Sequence, residues 1–277
     1  DYEIVGPYLF SEDRAEEWMK EVDGETRICK LSIPATHDSG ALEGGKLLQT
    51  QDISLEEQLN IGIRGFDIRL KAEEGKLRIY HGTARQSVTW SEDVLPLFLD
   101  FLKKHPSETL IVSVKCEGGN KDAYKKLLSK SISTSEYQKY FVDNKDITLD
   151  DCRGKILFIH RDEVMENYPG VYCYGWEDNV TCQMTFRGSN GKEAVVSLQD
   201  EYQHRYAGKA PYKMATTLKN MMAAADEKAD SDKWFISFAS ATAFPGDGPK
   251  DFSDKVNPGL AHEIQGICKG FGIVLMD

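Results

Sequence analysis

The apolar side chains of this chain fall into short, nearly continuous runs rather than alternating with polar ones. Runs rich in Val, Ile, Leu and Phe are typical of parallel strands that are covered on both faces. Eight such runs occur along the sequence: Arg27–Ile33, Ile63–Leu70, Lys76–Tyr80, Thr109–Val114, Lys155–Ile159, Ala194–Leu198, Trp234–Phe238 and Phe271–Met276. The pattern therefore predicts eight strands.

Stretches with helical spacing of apolar residues lie between many of these runs. They are Ser54–Ile61 with a capping-box pattern, Glu92–Lys104, Asn120–Lys130, Lys213–Lys228, and Pro258–Lys269 with proline in its first turn. Strands alternating with helices predict one α/β domain over residues 1–277, a distorted (β/α)8 barrel of the TIM type. Distortion is expected at residues 71–75, a link too short for a helix, and over 162–193, a turn-rich excursion.

Nearly every predicted strand ends in a polar or charged residue or is followed by one. These residues are His37 and Asp38, Asp67 and Arg69, His81, Lys115, Arg161, Asp200 with Tyr202, and Asp277. In a barrel of this kind the chemistry gathers at the carboxyl ends of the strands. The shared placement therefore predicts a site at that end. His160 is left out, because alternate side chains of a strand face opposite sides and Arg161 takes the site face.

Composition and charge exclude some functions. The chain has 277 residues, and Lys+Arg 34 against Asp+Glu 45 gives a net charge of −11. This argues against a nucleic-acid binder and against a broad basic membrane-binding surface. No apolar run approaches the ~20 residues that a membrane helix needs. The chain begins at Asp1 rather than at methionine, so we expect that its natural start has been removed, which leaves secretion open.

The six cysteines show neither a C-x-x-C pair nor a zinc-binding spacing. Cys29 and Cys116 lie in or beside strand-like runs and are predicted to be buried thiols. Cys173 and Cys182 share one loop-like region, where a disulfide between them is an open alternative to two free thiols.

Two histidines with an arginine between them suit acid–base chemistry on a phosphodiester. One imidazole takes a proton from the attacking hydroxyl while the other gives one to the leaving oxygen. The arginine fork matches the non-bridging oxygens and stabilises their charge. Because adjacent side chains on an extended segment diverge, we expect His37 and Asp38 to reach for different partners.

Motifs in a familiar order recur on nearly every predicted strand. They are Ser32-Ile33-Pro34 with His37-Asp38-Ser39, Phe66-Asp67-Ile68-Arg69, Tyr80-His81-Gly82, Pro106-Ser107-Glu108-Thr109 running to Lys115, Gly154-Lys155-Ile156 with Arg161, Gln199-Asp200-Glu201-Tyr202, Asn257-Pro258 and Asp277. Over residues 27–277 the chain resembles bacterial phosphatidylinositol-specific phospholipase C of the X-domain family. The resemblance implies a barrel enzyme, a phosphatidylinositol diacylglycerol-lyase, that cleaves phosphatidylinositol to diacylglycerol and inositol 1,2-cyclic phosphate and then slowly hydrolyses the cyclic product to inositol 1-phosphate.

The resemblance also implies roles for the site residues. His37 would be the general base on the inositol 2-hydroxyl, oriented by Asp277. His81 would be the general acid for the diacylglycerol oxygen, supported by Asp38. Arg69 would bind the phosphate with Asp67 beside it. The positions that match inositol-binding residues of the family are Lys115, Arg161, Asp200 and Tyr202.

Arg69 also distinguishes two subclasses of the family. Calcium-dependent relatives carry a carboxylate where Arg69 stands and an asparagine where Asp38 stands. This chain has neither, so the resemblance implies that it needs no metal and no other cofactor.

Membrane contact is expected to be peripheral and transient. The family's membrane-facing loops often display tryptophans, whereas the loop after the seventh predicted strand here offers Phe244. We predict that Phe244 is an interfacial anchor, with packing at the barrel rim as the alternative. The resemblance further implies a secreted bacterial protein, and we expect a monomer.

Two other functions stay open at this stage. One is a metal-dependent glycerophosphodiester phosphodiesterase, which is also a barrel with two histidines but would need a cluster of acidic ligands. The other is a catalytically silent barrel that binds inositol-lipid headgroups. Free phosphatidylinositol and glycosylated lipid anchors present the same inositol phosphate, so the sequence favours neither as the natural target.

Overall fold

One mixed sheet organises the part of the chain that the computed structural model describes, residues 12–134, 136–142, 147–162, 168–188 and 191–277. Its strands are β1 Ser32–Thr36, β2 Gly65–Glu73, β3 Lys76–His81, β4 Ala84–Thr89, β5 Leu110–Cys116, β6 Ile156–His160, β7 Val171–Tyr174, β8 Thr181–Gly188, β9 Glu193–Gln199, β10 Trp234–Phe238 and β11 Gly272–Met276. The α-helices are α1 Gly45–Leu48, α2 Leu55–Asn60, α3 Leu95–Lys104, α4 Lys121–Ile132, α5 Leu149–Cys152, α6 Ala210–Ala225 and α7 Pro249–Ile264. A π-helical segment, Trp90–Val94, leads into α3.

Nine of these strands close into a barrel in the order β1-β2-β5-β6-β7-β8-β9-β10-β11. Neighbours run parallel except that β8 is antiparallel to both β7 and β9. The strands β1 and β11 complete the ring, with Thr36 in register with Met276. The predicted α/β barrel is confirmed, although the ring has nine strands where the apolar runs predicted eight.

The predicted third strand is not part of the ring. Instead β3 folds back antiparallel on the end of β2, and β4 pairs with its other edge as a hairpin. The reversal uses Glu74 and Gly75, whose φ angles of 50° and 77° fit a tight turn. Distortion at this link was expected, but the hairpin itself was not.

Two strands of the ring were missed because the turn-rich stretch 162–193 was interpreted as an excursion. It contains β7 and β8, while its residues 163–167 and 189–190 lie outside the described part of the chain. On β8 the inward side chains Met184 and Phe186 alternate with more exposed ones, an antiparallel pattern hidden among the turn residues. Cys173 and Cys182 are free thiols here, and they lie opposite Phe186 and Leu198 rather than each other.

Helix α7 begins earlier than predicted. Its first turn is at Pro249, where the Gly248 N–H donates to the Asp251 carboxylate over 2.8 Å, and Pro258 lies inside the helix. The prediction took the second proline for the start because either proline suits a first turn. None of the described helices combines the length and apolar character needed to cross a membrane.

Apolar side chains fill the barrel interior and separate its two ends. Ile33, Ile236 and Phe238 are among the buried residues of this core. The segment Glu12–Glu21 covers the amino-terminal end, where the Trp18 indole donates to the Gly62 carbonyl over 2.9 Å. The carboxyl ends of the strands therefore face the opposite, open end.

Candidate active site

Closure of the barrel places His37 beside Asp277. Each residue directly follows its strand, and the His37 N–H donates to the Met276 carbonyl over 2.8 Å. The ring nitrogen Nδ1 of His37 then lies 2.7 Å from Oδ1 of Asp277. Burial favours the neutral ring, but the carboxylates of Asp277 and Asp38 outweigh it and raise the pKa of His37.

Asp38 contacts both histidines. Its Oδ2 lies 3.2 Å from Nε2 of His37 and 3.4 Å from Nε2 of His81. The expectation that neighbouring side chains diverge fails because Asp38 is not extended: its φ of 42° turns the chain and brings its side chain back toward His37. Burial raises the pKa of Asp38, against the lowering effect of Arg69 and of the two histidines.

The loop that carries His37 and Asp38 is bonded to β2. The Ser39 hydroxyl accepts the Asp67 N–H over 2.8 Å, and the Ser39 N–H donates to the Asp67 carbonyl over 2.9 Å. Gln58 of α2 adds a third connection, since its amide donates to the Ser39 carbonyl. These buried bonds hold His37 and Asp38 in place relative to Asp67 and Arg69.

Arg69 lies at the centre of the site. Its guanidinium nitrogens lie 3.0 Å from Oδ2 of Asp38, 3.1 Å from Oδ2 of Asp67 and 2.9 Å from Nε2 of His37. Burial opposes the charge, but these carboxylates raise the pKa of Arg69 further. Asp67 is fully buried, and the guanidiniums of Arg69 and Arg161 outweigh that burial and hold its pKa well below the usual range.

His81 reaches the site from the β3–β4 hairpin. Its Nδ1 lies 2.7 Å from the Leu48 carbonyl, an acceptor that requires a proton on this nitrogen. Its ring stands edge-on to that of His37 with centroids 6.0 Å apart. The two imidazoles thus flank the Asp38 and Arg69 side chains.

The residues predicted to bind inositol form the far wall of the site. Arg161 lies 3.7 Å from Asp67 and 3.8 Å from Asp200. Lys115, near the end of β5, lies 3.5 Å from Glu117 and is partly exposed. Tyr202, just past β9, donates its hydroxyl proton to Asp178 over 3.1 Å. The structure therefore brings all four to the same end of the barrel as the histidines.

Three residues of this wall escaped the sequence reasoning. Trp176 donates its indole N–H to Asp200 over 2.9 Å, and the Arg161 guanidinium lies 3.8 Å from its ring centroid. Asp178 accepts a hydrogen bond from the Tyr202 hydroxyl. Glu117, beside His81, accepts the Gly82 N–H over 3.1 Å. Trp176 and Asp178 lie in the stretch interpreted as an excursion; a tryptophan next to two acidic residues was the only signal available.

His160 lies away from the site, as the strand alternation predicts. It is fully buried among Phe158 and Tyr172, and its Nε2 lies 2.7 Å from the Pro169 carbonyl. Burial lowers its pKa to about 4.

Phe244 follows β10 in an open loop and is 60% exposed. Phe244 is therefore not packed at the barrel rim, which was the alternative prediction. Its loop bonds to the neighbouring one: the Thr242 N–H donates to the Tyr202 carbonyl over 2.8 Å. Phe244 therefore projects from the end of the barrel that carries the site.

A cation could in principle bind His37, Asp38 and Asp67, whose ligand atoms lie within 4.8 Å of one another. The Arg69 guanidinium, however, contacts all three. A fixed positive charge thus occupies the place where a metal ion would balance the two carboxylates.

Comparison with known proteins identifies the family of this chain. The family description "Phosphatidylinositol-specific phospholipase C, X domain" matches residues 27–162. The 1-phosphatidylinositol phosphodiesterase of Listeria monocytogenes is 30% identical over 94% of this chain and 80% of its own length. The enzyme of that name from Staphylococcus aureus is 26% identical over 90% of this chain and 83% of its own length.

Solved structures give the same result for the fold. A double variant of the S. aureus phosphatidylinositol-specific phospholipase C superposes with a TM-score of 0.83 at 23% identity, over 96% of this chain and 91% of the other. The L. monocytogenes enzyme superposes with a TM-score of 0.77 at 27% identity, over 95% and 93%. The resemblance recognised from the motifs is confirmed.

Proposed function

Because the chain belongs to the family of bacterial phosphatidylinositol-specific phospholipases C, we propose that it cleaves phosphatidylinositol by intramolecular attack of the inositol 2-hydroxyl. The products are diacylglycerol and inositol 1,2-cyclic phosphate, and slower hydrolysis of the cyclic ester gives inositol 1-phosphate. The arrangement of His37, Arg69 and His81 around one point is the observation that carries this proposal.

His37 is the general base. With a proton on Nδ1, donated to Asp277, its Nε2 is unprotonated and faces the centre of the site, where its lone pair accepts a hydrogen bond from the Arg69 guanidinium. This nitrogen takes the proton of the 2-hydroxyl as the oxygen attacks phosphorus. The carboxylate of Asp277 stabilises the imidazolium that forms.

His81 is the general acid. Its Nδ1–H is held by the Leu48 carbonyl, so Nε2 is the nitrogen that delivers a proton. It protonates the diacylglycerol oxygen as the bond from phosphorus to that oxygen breaks. Asp38, 3.4 Å away, stabilises the charged ring before transfer. In the second step the roles reverse: His81 takes a proton from water and His37 returns one to the 2-oxygen.

Arg69 stabilises the charge on the phosphate. Its two carboxylate partners fix the plane of the guanidinium and keep it charged. A fixed donor aimed at the non-bridging oxygens costs no reorganisation when charge builds up on them. A metal ion is then unnecessary, which distinguishes this proposal from calcium-assisted cleavage.

The inositol ring lies against Tyr202, with its hydroxyls bonded to Lys115, Arg161 and Asp200. Cations and a carboxylate on one wall suit a polyhydroxylated ring, because hydroxyls both donate and accept. The stacking of Arg161 on Trp176 and the Trp176–Asp200 hydrogen bond keep these groups oriented. Since such a wall binds the headgroup alone, free phosphatidylinositol and glycosylated inositol lipids both fit.

The enzyme contacts the membrane transiently through the loop that carries Phe244. An exposed phenyl ring at the rim of the site can enter the interface while the charged wall stays outside. Secretion and a monomeric state remain predictions from the sequence.

Phosphorus NMR on phosphatidylinositol vesicles tests the proposed function. A cyclic phosphate resonance that appears first and then decays to a monoester supports it. Direct formation of a monoester would instead support a water-attacking phosphodiesterase. Absence of turnover at enzyme concentrations near that of the lipid would support a silent binder.

A further inference from the structure

Gln51 connects the ends of the two strands that close the barrel. It is a buried glutamine in the segment that follows α1. Its side-chain amide donates to the His37 carbonyl over 2.9 Å and to the Met276 carbonyl over 3.0 Å. The pairing of β1 with β11 ends at Thr36 and Met276. The amide therefore joins the two chains just beyond the last residues that pair, and none of the steps proposed above uses it.

The two carbonyls that Gln51 binds flank the pair formed by His37 and Asp277. One belongs to the peptide group that leaves His37, and the other to the peptide group that leads into Asp277. A hydrogen bond to each carbonyl fixes the orientation of the backbone from which the two side chains extend. The pair needs this, because its 2.7 Å contact would cease to be a hydrogen bond if the strand ends moved apart by about 1 Å.

The residue type at position 51 fits this role better than a role in packing. Burying an amide is costly unless its hydrogen bonds are made, and an apolar side chain of similar length would fill the same space without that cost. Both hydrogen bonds that the Gln51 amide donates to strand ends are made with good geometry. The amide is thus explained by the two carbonyls that it joins.

The residues just before Gln51 contact the other acid–base groups. The Thr50 hydroxyl donates to the Asp38 carbonyl over 2.9 Å, at the turn where Asp38 has its φ of 42°. The Leu48 carbonyl lies 2.7 Å from Nδ1 of His81. One short segment therefore contacts the proposed base, the carboxylate between the two histidines and the proposed acid.

We propose that Gln51 is a positioning residue that keeps His37 and Asp277 paired by joining the ends of β1 and β11. The assignment rests on the proposed function for its consequences in catalysis. Gln51→Met removes both donated hydrogen bonds at nearly constant side-chain length. It should lower kcat on inositol 1,2-cyclic phosphate about tenfold and change KM little, because the inositol-binding wall is not altered.

A double-mutant cycle with Asp277→Asn separates positioning from a general loss of structure. If Gln51 acts through the His37–Asp277 pair, Gln51→Met should cost about tenfold in kcat in the wild-type background and less than about twofold in the Asp277→Asn background. Equal losses in the two backgrounds would overturn the inference. Gln86→Met is the matched control and should keep the wild-type kcat, because Gln86 is a buried glutamine whose amide donates to the Glu43 carbonyl, away from both strand ends.

Proton NMR of the full chain without substrate gives a second measurement that needs no turnover. An imidazole N–H bonded to a carboxylate resonates far downfield, and the His37 signal is identified by its loss in His37→Ala. We expect this signal in the wild type and in Gln86→Met, and we expect it to broaden or disappear in Gln51→Met. If Gln51→Met does not fold, Gln51→Leu is measured in its place.

The two measurements distinguish this inference from the proposed function. An unchanged His37 signal in the folded Gln51 variant would overturn the inference, even if the enzyme cleaves phosphatidylinositol. Loss of the signal in a protein whose wild type turns over no inositol phosphate would leave the positioning role intact and refute the proposed function.

Discussion

His37 and Asp277 are 240 positions apart in sequence, yet Nδ1 of one lies 2.7 Å from Oδ1 of the other. The pair exists because β1 and β11 are neighbours that close the barrel with Thr36 opposite Met276. His37 follows Thr36 and Asp277 follows Met276, so the two side chains meet just beyond the ends of their strands. Closure of the barrel therefore brings together the pair that we propose to act as the general base.

Asp277→Asn should lower kcat by roughly 10²–10⁴-fold, because the amide neither fixes the Nδ1–H tautomer nor stabilises the imidazolium. The carboxylate raises the pKa of His37, so its loss should lower that pKa. Since the base must be unprotonated, the acid limb of the kcat/KM profile should move to lower pH. An acid limb at the same pH as in the wild type would contradict the pairing of His37 with Asp277. Asp254→Asn, an exposed acid of α7, is the control.

Arg69→Lys should lower kcat on the order of 10²–10³-fold, although the charge is kept. A lysine is a point charge and cannot bridge Asp38, Asp67 and the phosphate with the planar fork that arginine offers. The measurement is the initial rate on inositol 1,2-cyclic phosphate, which needs no membrane. Arg85→Lys, at a half-exposed arginine of β4, should retain the wild-type rate. Near-normal turnover by Arg69→Lys would show that the fork is not needed.

Chelators should leave the activity unchanged. Arg69 contacts the same three side chains that a cation would use, so a bound metal would have to displace it. Initial rates with and without EDTA, followed by addition of calcium, test this. Activity that is lost with EDTA and restored by calcium would contradict the proposed mechanism.

Trp176→Phe should raise KM for the cyclic phosphate roughly tenfold while kcat changes little. The substitution keeps a ring under Arg161 but removes the indole N–H that holds Asp200. The readout is the split between KM and kcat, with Trp234→Phe as a control in the barrel core. An effect on kcat alone would place Trp176 in the chemical step instead.

Phe244→Ala should weaken binding to phosphatidylinositol-containing vesicles roughly tenfold or more, which is the loss expected for one phenyl ring that enters the interface. Hydrolysis of the soluble cyclic phosphate should be unaffected. The control is Ile61→Ala, because Ile61 is equally exposed but precedes β2 at the other end of the barrel. Equal vesicle binding by Phe244→Ala and the wild type would rule out this anchor.

Much of the site was predictable because parallel strands deliver their next residues to one end of a barrel. The apolar runs alone were enough to predict that Asp67, Lys115, Arg161 and Asp200 lie at this end. His81 reached the predicted place by a different route, since its strand belongs to a hairpin outside the ring. The prediction that β3 belongs to the ring was wrong, but the predicted position of His81 at the open end of the barrel was right.

Features that depend on backbone turns and loop packing were beyond the sequence. The φ of 42° at Asp38 decides that one carboxylate serves both histidines, and no periodicity encodes it. Trp176 belongs to a connection whose strands are short and interrupted by turn residues. Nothing in the sequence marks Lys213 as buried, because the burial of its side chain depends on how α6 packs against β9 and β10.

Phosphatidylinositol methylated on its 2-oxygen tests the central claim most directly, since this substrate lacks the proton that His37 removes and the nucleophile that forms the ring. The wild-type enzyme should bind the analogue and slow the cleavage of phosphatidylinositol, yet phosphorus NMR should detect no product from it. Release of diacylglycerol and a methylated inositol monophosphate at a rate near that of the natural lipid would mean that water is the nucleophile, and would contradict intramolecular attack.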